Sequence, residues 1–230
     1  TLEDIERVRN DFIEAGIRSA SAGAKVIEIH AAHGYLLNQF LSPYSNHRTD
    51  AYGGTPANRA RLILEIIEGI TSRLDSETAI SVRISGDEFV QGGLTPKDFS
   101  SIIPLFQQAG MDLLNVSAGV YESIERIVPP PSLGTTPHIN IATALKAFTQ
   151  IPVCAVGSVF SLETAEAIIS SGKADLVAMG RAQVADPQII YKSKIGSEDT
   201  INNCIQCNNC TFWSTGDPEV RCSINPRISK

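Results

Sequence analysis

His30 and His33 stand three residues apart in "VIEIHAAHGYLLNQF" (residues 26–40), and Tyr35 follows two positions later. The chain has only four histidines, and two of them fall where an apolar run gives out. Imidazoles at this spacing can donate hydrogen bonds to a carbonyl or carboxylate oxygen, form half of a metal site, or serve as plain loop residues. A phenol with a pKa of about 10 stays protonated at neutral pH and suits a general acid.

A second concentration of chemistry lies near the C-terminus. Cys204, Cys207, Cys210 and Cys222 are spaced C-x2-C-x2-C-x11-C in "CIQCNNCTFWSTGDPEVRCSINP", whereas Cys154 sits alone in the apolar run "IPVCAVGSV". Clustering of this kind points to a metal rather than to a disulfide framework. Four thiolates can wrap a [4Fe–4S] cluster or a tetrahedral zinc ion, and softness alone does not separate the two.

Five apolar, β-branched runs are expected to carry these groups: residues 25–32, 79–85, 113–119, 151–158 and 174–180. None is taken to alternate cleanly, so each reads as a strand buried on both faces of a parallel sheet. Helical segments lie between them. In "NRARLILEIIEGITSRL" an apolar stripe runs through Leu62, Ile63, Ile66, Ile67 and Ile70. Thr95 with Pro96, and Ser161, read as helix starts; Gly110 and Gly172 read as stops.

Helix and strand in alternation give a doubly wound sheet or a (β/α)8 barrel. Two details favour the barrel. No glycine-rich dinucleotide fingerprint follows a strand, and polar or charged residues mark the strand ends: His30, His33, Arg83, Ser117, Gly157, Ser158, Gly180 and Arg181. A closed barrel needs eight strands and five are found, so about three βα units are expected to be missing from the N-terminal side.

The chain has 230 residues, 43% of them apolar, and a formal charge of −6. That acidity speaks against a nucleic-acid partner. No apolar run reaches the roughly 18 residues of a membrane span, and the first residues lack the order of a signal peptide. A soluble cytoplasmic protein is expected, with homo-oligomerisation left open.

The stretch "EIHAAHGYLLNQFLSPYSNHRTDAYGG" followed by "NRARLILEII" resembles the old yellow enzyme family of flavin-dependent ene-reductases, a match covering residues 26–67. The later "VRIS", "AVGSV" and "MGRAQVADP" look like the fifth, seventh and eighth strand ends of that barrel. The resemblance therefore implies part of an FMN-binding TIM barrel, about strands 4 to 8, in residues 1–195, with a cysteine-rich segment at 196–230.

It also implies roles. His30 and His33 hydrogen-bond the substrate carbonyl or carboxylate oxygen, and Tyr35 protonates the α-carbon opposite the hydride. Arg83 meets the flavin N1–C2=O edge, and Gly157, Ser158, Gly180 and Arg181 grip the FMN phosphate, where backbone N–H groups can approach an anion. Tyr121 stands where the dienoyl-CoA reductase branch has a catalytic histidine, which leaves it as a substrate contact. Arg48, Asp50 and Arg59, in and after "RTDAYGG", either tie down the loop or touch ligand.

The cysteines are similar to those of the 2,4-dienoyl-CoA reductase and enoate reductase branch. That branch binds an iron–sulfur cluster just after the eighth strand and more often has three residues between its second and third cysteines, where this chain has two. The branch carries a further FAD- and NAD(P)H-binding region after the cluster. The expected activity is FMN-dependent reduction, with electrons from NAD(P)H, of the C=C bond of a small α,β-unsaturated acid, thioester or ketone. This stretch alone is expected to be inactive. The alternative is a non-catalytic zinc-binding α/β module with structural cysteines.

Overall fold

The computed structural model describes residues 1–74, 77–211 and 220–228. The elements run α1 (Leu2–Ser21), β1 (Val26–Ala31), α2 (Leu36–Leu41), α3 (Pro56–Thr71), β2 (Ala79–Ser85), α4 (Ile103–Ala109), β3 (Leu113–Ser117), α5 (Ile124–Ile127), α6 (Ile139–Lys146), β4 (Val153–Val156), α7 (Leu162–Ser170), β5 (Leu176–Ala178), α8 (Arg181–Ala185) and α9 (Ile189–Lys194). All five expected strands form. They pair in parallel in the order β1-β2-β3-β4-β5. A doubly wound sheet reverses its strand order at a switch point. This sheet does not, and its sequential parallel order is that of part of a (β/α)8 barrel.

The strands differ from the expectation in one respect: their two faces are not alike. Ile29, Ala31, Ile80, Val82, Ile84, Leu114, Val116, Val153 and Ala155 join one core with the helices. The residues between them are polar: Glu28 and His30 on β1, Ser81, Arg83 and Ser85 on β2, Asn115 and Ser117 on β3. "AISVRIS" therefore does alternate. The polar set faces away from the helices and is tied together by its own hydrogen bonds, as the inside of a ligand-binding barrel requires.

The stripe of α3 is as expected, with Leu62, Ile63, Ile66, Ile67 and Ile70 all in the core. Each such side chain contributes roughly 1.5–3 kcal/mol of burial. Thr55 caps α3 by accepting from Asn58 N at 3.2 Å, with Pro56 opening the helix. Helices α1 and α3 meet through glycines: a Cβ on Gly69 would lie 2.3 Å from Ile13 Cδ1, and one on Gly16 would lie 2.8 Å from Ile70 Cδ1. Ser161 caps α7 as expected, and Gly110 ends α4 in the left-handed region at φ 110°.

"TPKD" at 95–98 does not begin an α-helix. Thr95 N and Oγ1 both donate to Asp98 Oδ2, at 2.8 and 2.7 Å, and close a turn before a short 3-10 stretch. Helix α4 starts only at Ile103, with Pro104 in its first turn. A threonine whose side chain and backbone are both held by an aspartate three residues on makes a turn as readily as a cap.

The loop between α2 and α3 is tied by the residues suspected of that role. Arg48 pairs with Asp50. Arg59, nearly buried, donates from Nε to Leu41 O at 2.9 Å and from Nη1 to Gly54 O. Among the described residues no helix is long and apolar enough to cross a membrane.

Candidate active site

Strand β1 ends in a turn that takes two consecutive residues into the left-handed region, His33 at φ 64° and Gly34 at φ 75°. This geometry throws the His33 ring back over the sheet. Its backbone N–H donates to Ser85 Oγ at 2.9 Å, and its Nε2 lies 2.6 Å from Ser117 Oγ, so the ends of β2 and β3 both hold it. The His30 and His33 ring centroids are 5.1 Å apart, and His30 is 5.3 Å from Tyr35. The three residues expected to act on substrate therefore form one cluster. Tyr121 completes it, with its ring 5.5 Å from Tyr35, edge to face. A hydrogen bond with Tyr35 holds the Tyr121 phenol above the usual range.

Behind the cluster runs a polar row fixed by strand register, in which His30 pairs with Arg83, Arg83 with Asn115, and Asn115 with Cys154. Glu28 accepts from Asn115 Nδ2 at 2.7 Å and from Ser81 Oγ at 3.2 Å, and it lies 3.9 Å from Arg83 Nη1. Arg83 Nε and Asn115 Oδ1 are buried with no hydrogen-bond partner among the described residues. Orphaned polar atoms of this kind carry a desolvation cost that a bound polar group relieves.

Both imidazoles are neutral at physiological pH. Burial, then the Arg83 cation and the neighbouring His30 and His138, push His33 down to about 3. His30 is lowered by burial and Arg83, with Glu28 opposing. A neutral imidazole has one N–H and one bare nitrogen. The pair can hold an oxygen by hydrogen bonds without becoming imidazolium.

Gly157, Ser158, Gly180 and Arg181 meet in a separate cleft of about 160 Å³ at the ends of β4 and β5. Gly157 (φ 139°) and Ser158 (φ 55°) turn the chain in the positive-φ region. A Cβ on Gly157 would also lie 2.8 Å from His138 Cδ2, so glycine is required twice over. A Cβ on Gly180 would meet nothing within 4 Å, which leaves its backbone open to the cleft. Arg181 Nη2 donates to Ser158 Oγ at 2.8 Å and Nη1 to Pro129 O at 3.0 Å.

The four C-terminal cysteines are free thiols. Cys204, Cys210 and Cys222 are half-buried and Cys207 is exposed. Burial raises the Cys204 and Cys210 thiols above their ordinary range. Gln206 N donates to Cys204 Sγ at 3.4 Å, and Cys207 Sγ lies 3.3 Å from Ser223 Oγ. The donor set is of the soft type that iron or zinc takes. Among the described residues, however, no three of these or other ligand side chains are gathered into a group that could hold a metal ion; residues 212–219, between Cys210 and Cys222, lie outside the description. Cys154 is different, a core thiol that burial pushes up to about 11.

Glu88 and Gln206 were not singled out from the sequence. Glu88, fully buried, accepts from Asn38 Nδ2 (2.8 Å), Ser42 Oγ (2.6 Å) and Leu94 N (2.8 Å), and burial raises its pKa. Asn38 in turn accepts from Gly34 N at 2.7 Å, and Glu88 O accepts from Ser123 Oγ at 2.6 Å. The carboxyl group thereby braces the loop that carries His33, through Asn38, and the Glu88 backbone carbonyl ties down the loop that carries Tyr121. An acid just past a strand, in "GDEFVQGG", was its only sequence signal.

The NADH:flavin oxidoreductase / NADH oxidase family model matches residues 1–200. An NADH oxidase of Thermoanaerobacter brockii is 40% identical over 98% of this chain and 35% of its own length. The solved 2-naphthoyl-CoA reductase complex with 2-naphthoyl-CoA superposes with a TM-score of 0.93 at 29% identity, over all of this chain and 35% of that one. The old yellow enzyme homologue from Zymomonas mobilis gives 0.68 at 26% identity, over 86% of this chain and 54% of that one. The chain thus spans about a third of the length of the first curated relative. With the model matched across most of its residues, the chain belongs to the NADH:flavin oxidoreductase / NADH oxidase family.

Proposed function

We propose that the protein to which this chain belongs is an FMN-dependent ene-reductase that saturates the C=C bond of an α,β-unsaturated acid, thioester or ketone with electrons from NAD(P)H. The observation that carries the reading is the cluster of His30, His33 and Tyr35 rings beside Arg83, whose buried Nε has no partner among the described residues. Membership of a flavin oxidoreductase family supports it.

The residues fit FMN. Arg83 and Asn115 offer an unmet donor and acceptor on the polar face of the sheet, and Gly157, Ser158, Gly180 and Arg181 offer an open, cationic cleft for its phosphate. Bound FMN, reduced by NAD(P)H, would supply the hydride. His30 and His33 hold the substrate oxygen and draw electron density from the alkene. Tyr35 delivers its phenolic proton to the α-carbon and, being itself exposed beside the Tyr121 ring, can regain it from solvent. Cys204, Cys207, Cys210 and Cys222 are the soft donors that would hold a [4Fe–4S] cluster, which would supply one-electron transfer.

An absorption spectrum and metal analysis of the full-length protein test this together with turnover of cyclohexenone, cinnamate and crotonyl-CoA under anaerobic NADH or NADPH. Flavin bands, a broad iron–sulfur shoulder and saturation of at least one alkene are expected. A colourless protein with stoichiometric zinc and no turnover would overturn the proposal in favour of a structural zinc module.

A further inference from the structure

Gln206 lies between two of the cysteines and is 7% exposed. Its backbone sits in the left-handed region at φ 58°. Glutamine gains nothing from that conformation, which disfavours any residue with a Cβ. The side chain explains its presence. Nε2 points away from the thiols and lies 3.0 Å from Pro129 O, 3.1 Å from Pro130 O, 3.3 Å from Gly134 O and 3.2 Å from Ser158 Oγ. Asn208, also at φ 58°, accepts from Arg181 Nη1 and donates from Nδ2 to Val128 O at 3.3 Å. The cysteine segment is thus docked by side-chain amides onto the two residues, Ser158 and Arg181, that line the anion cleft.

A serine hydroxyl has one donor hydrogen and two acceptor lone pairs. Arg181 Nη2 takes one lone pair, and Gln206 Nε2, whose two hydrogens are shared among Ser158 Oγ and the three carbonyls, faces the other. The hydroxyl hydrogen is then directed to a third partner, and Ser158 lines the cleft. Two donors fixed on one oxygen, one of them cationic, also polarise its O–H and strengthen it as a donor to an anion.

We propose that Gln206 is a positioning residue for phosphate: from the cysteine segment it orients the Ser158 hydroxyl toward the cleft, so that the phosphate end of the flavin is held only as firmly as that segment is docked. The inference rests on the flavin reading above and adds a dependence of one site on the other. It requires that removing Gln206 weaken FMN, which has the phosphate, and spare riboflavin, which lacks it.

The test uses full-length protein freed of flavin, with FMN and riboflavin affinities measured by fluorescence quenching for wild type, Gln206→Gly, Gln206→Glu, Ser158→Ala and the Ser158→Ala/Gln206→Gly double variant. Gln206→Gly suits the left-handed backbone, and its fold is checked by thermal melting. Gln206→Glu keeps the shape but accepts the serine hydrogen, and it stands in should the glycine variant not fold. Either variant is expected to lose about tenfold or more in FMN affinity, with riboflavin changed less than twofold. The double variant is expected to bind FMN no worse than Ser158→Ala alone, because both changes remove one device. Equal losses for the two flavins, no loss for either, or additive losses in the double variant would overturn the inference. A wild type that binds neither flavin would overturn the flavin reading itself and the inference with it.

Discussion

Ser117 Oγ and His33 Nε2 meet at 2.6 Å, although the two residues are 84 positions apart in the chain. The contact is buried at the C-terminal ends of β1 and β3, and it holds the ring in place while occupying one of its two nitrogens. Ser117→Ala strands that nitrogen inside the protein, which costs about 1–3 kcal/mol. Urea denaturation should show a loss in that range. Alkene reduction should slow, while reduction of the flavin by NAD(P)H, which does not use His33 in the proposed mechanism, stays near wild type.

Tyr35→Phe removes the phenolic proton and leaves the ring stack with His30 and Tyr121 largely intact. General-acid catalysis contributes typically 10²–10⁴-fold, so the alkene half-reaction should fall by about that factor in stopped-flow measurements on the holoenzyme. The flavin half-reaction should be unaffected. Equal loss in both would remove Tyr35 from the proton-donor role.

Acid should destabilise the fold through His33. Its folded pKa of about 3 lies below the ordinary 6.5, so the unfolded chain binds a proton that the native ring refuses. The stability it contributes is fully present above pH 6.5 and is lost progressively as pH falls toward 3, amounting to about 2 kcal/mol by pH 5. His30 and His138 are shifted the same way by burial. Glu88 is raised and so acts in the opposite sense on the acid side. His33→Asn removes the titrating group, and its denaturation free energy should fall less than that of wild type between pH 7 and pH 5.

Gly53 and Gly54 are neighbours with different constraints. A Cβ on Gly53 would lie 2.0 Å from Arg48 O, a backbone atom that cannot swing aside. Gly54, at φ 81°, has nothing within 4 Å of its would-be Cβ, so only its backbone conformation resists. Gly54→Ala should cost about 1 kcal/mol. Gly53→Ala should cost clearly more, about 3 kcal/mol by the standard of overpacked sites, and it should loosen the Arg48–Asp50 tie as well. Thermal melts of the two variants side by side check the difference.

Local information in the sequence was enough for the strands, the apolar stripe of α3, the caps at Ser161 and Gly110, and the pairing of His30, His33 and Tyr35. Each depends on a few adjacent residues and on a periodicity of two or 3.6. In "HAAHGY" His30 stands at the end of strand β1 and His33 and Tyr35 follow directly after it, so their spacing alone brings the three side chains to one strand end. Two further features are also local: "AISVRIS" alternates at period two, apolar at Ile80, Val82 and Ile84, and "TPKD" becomes a turn because Asp98, three residues on, captures Thr95 before a helix can start. Others depend on residues distant in sequence. The partner of His33, the buried carboxylate of Glu88 beneath two loops, and the reach of Gln206 to Ser158 are long-range hydrogen bonds. No window along the chain contains both ends of such a bond; strand order and register decide which polar groups meet, because a buried donor or acceptor must find its partner wherever the fold has put it.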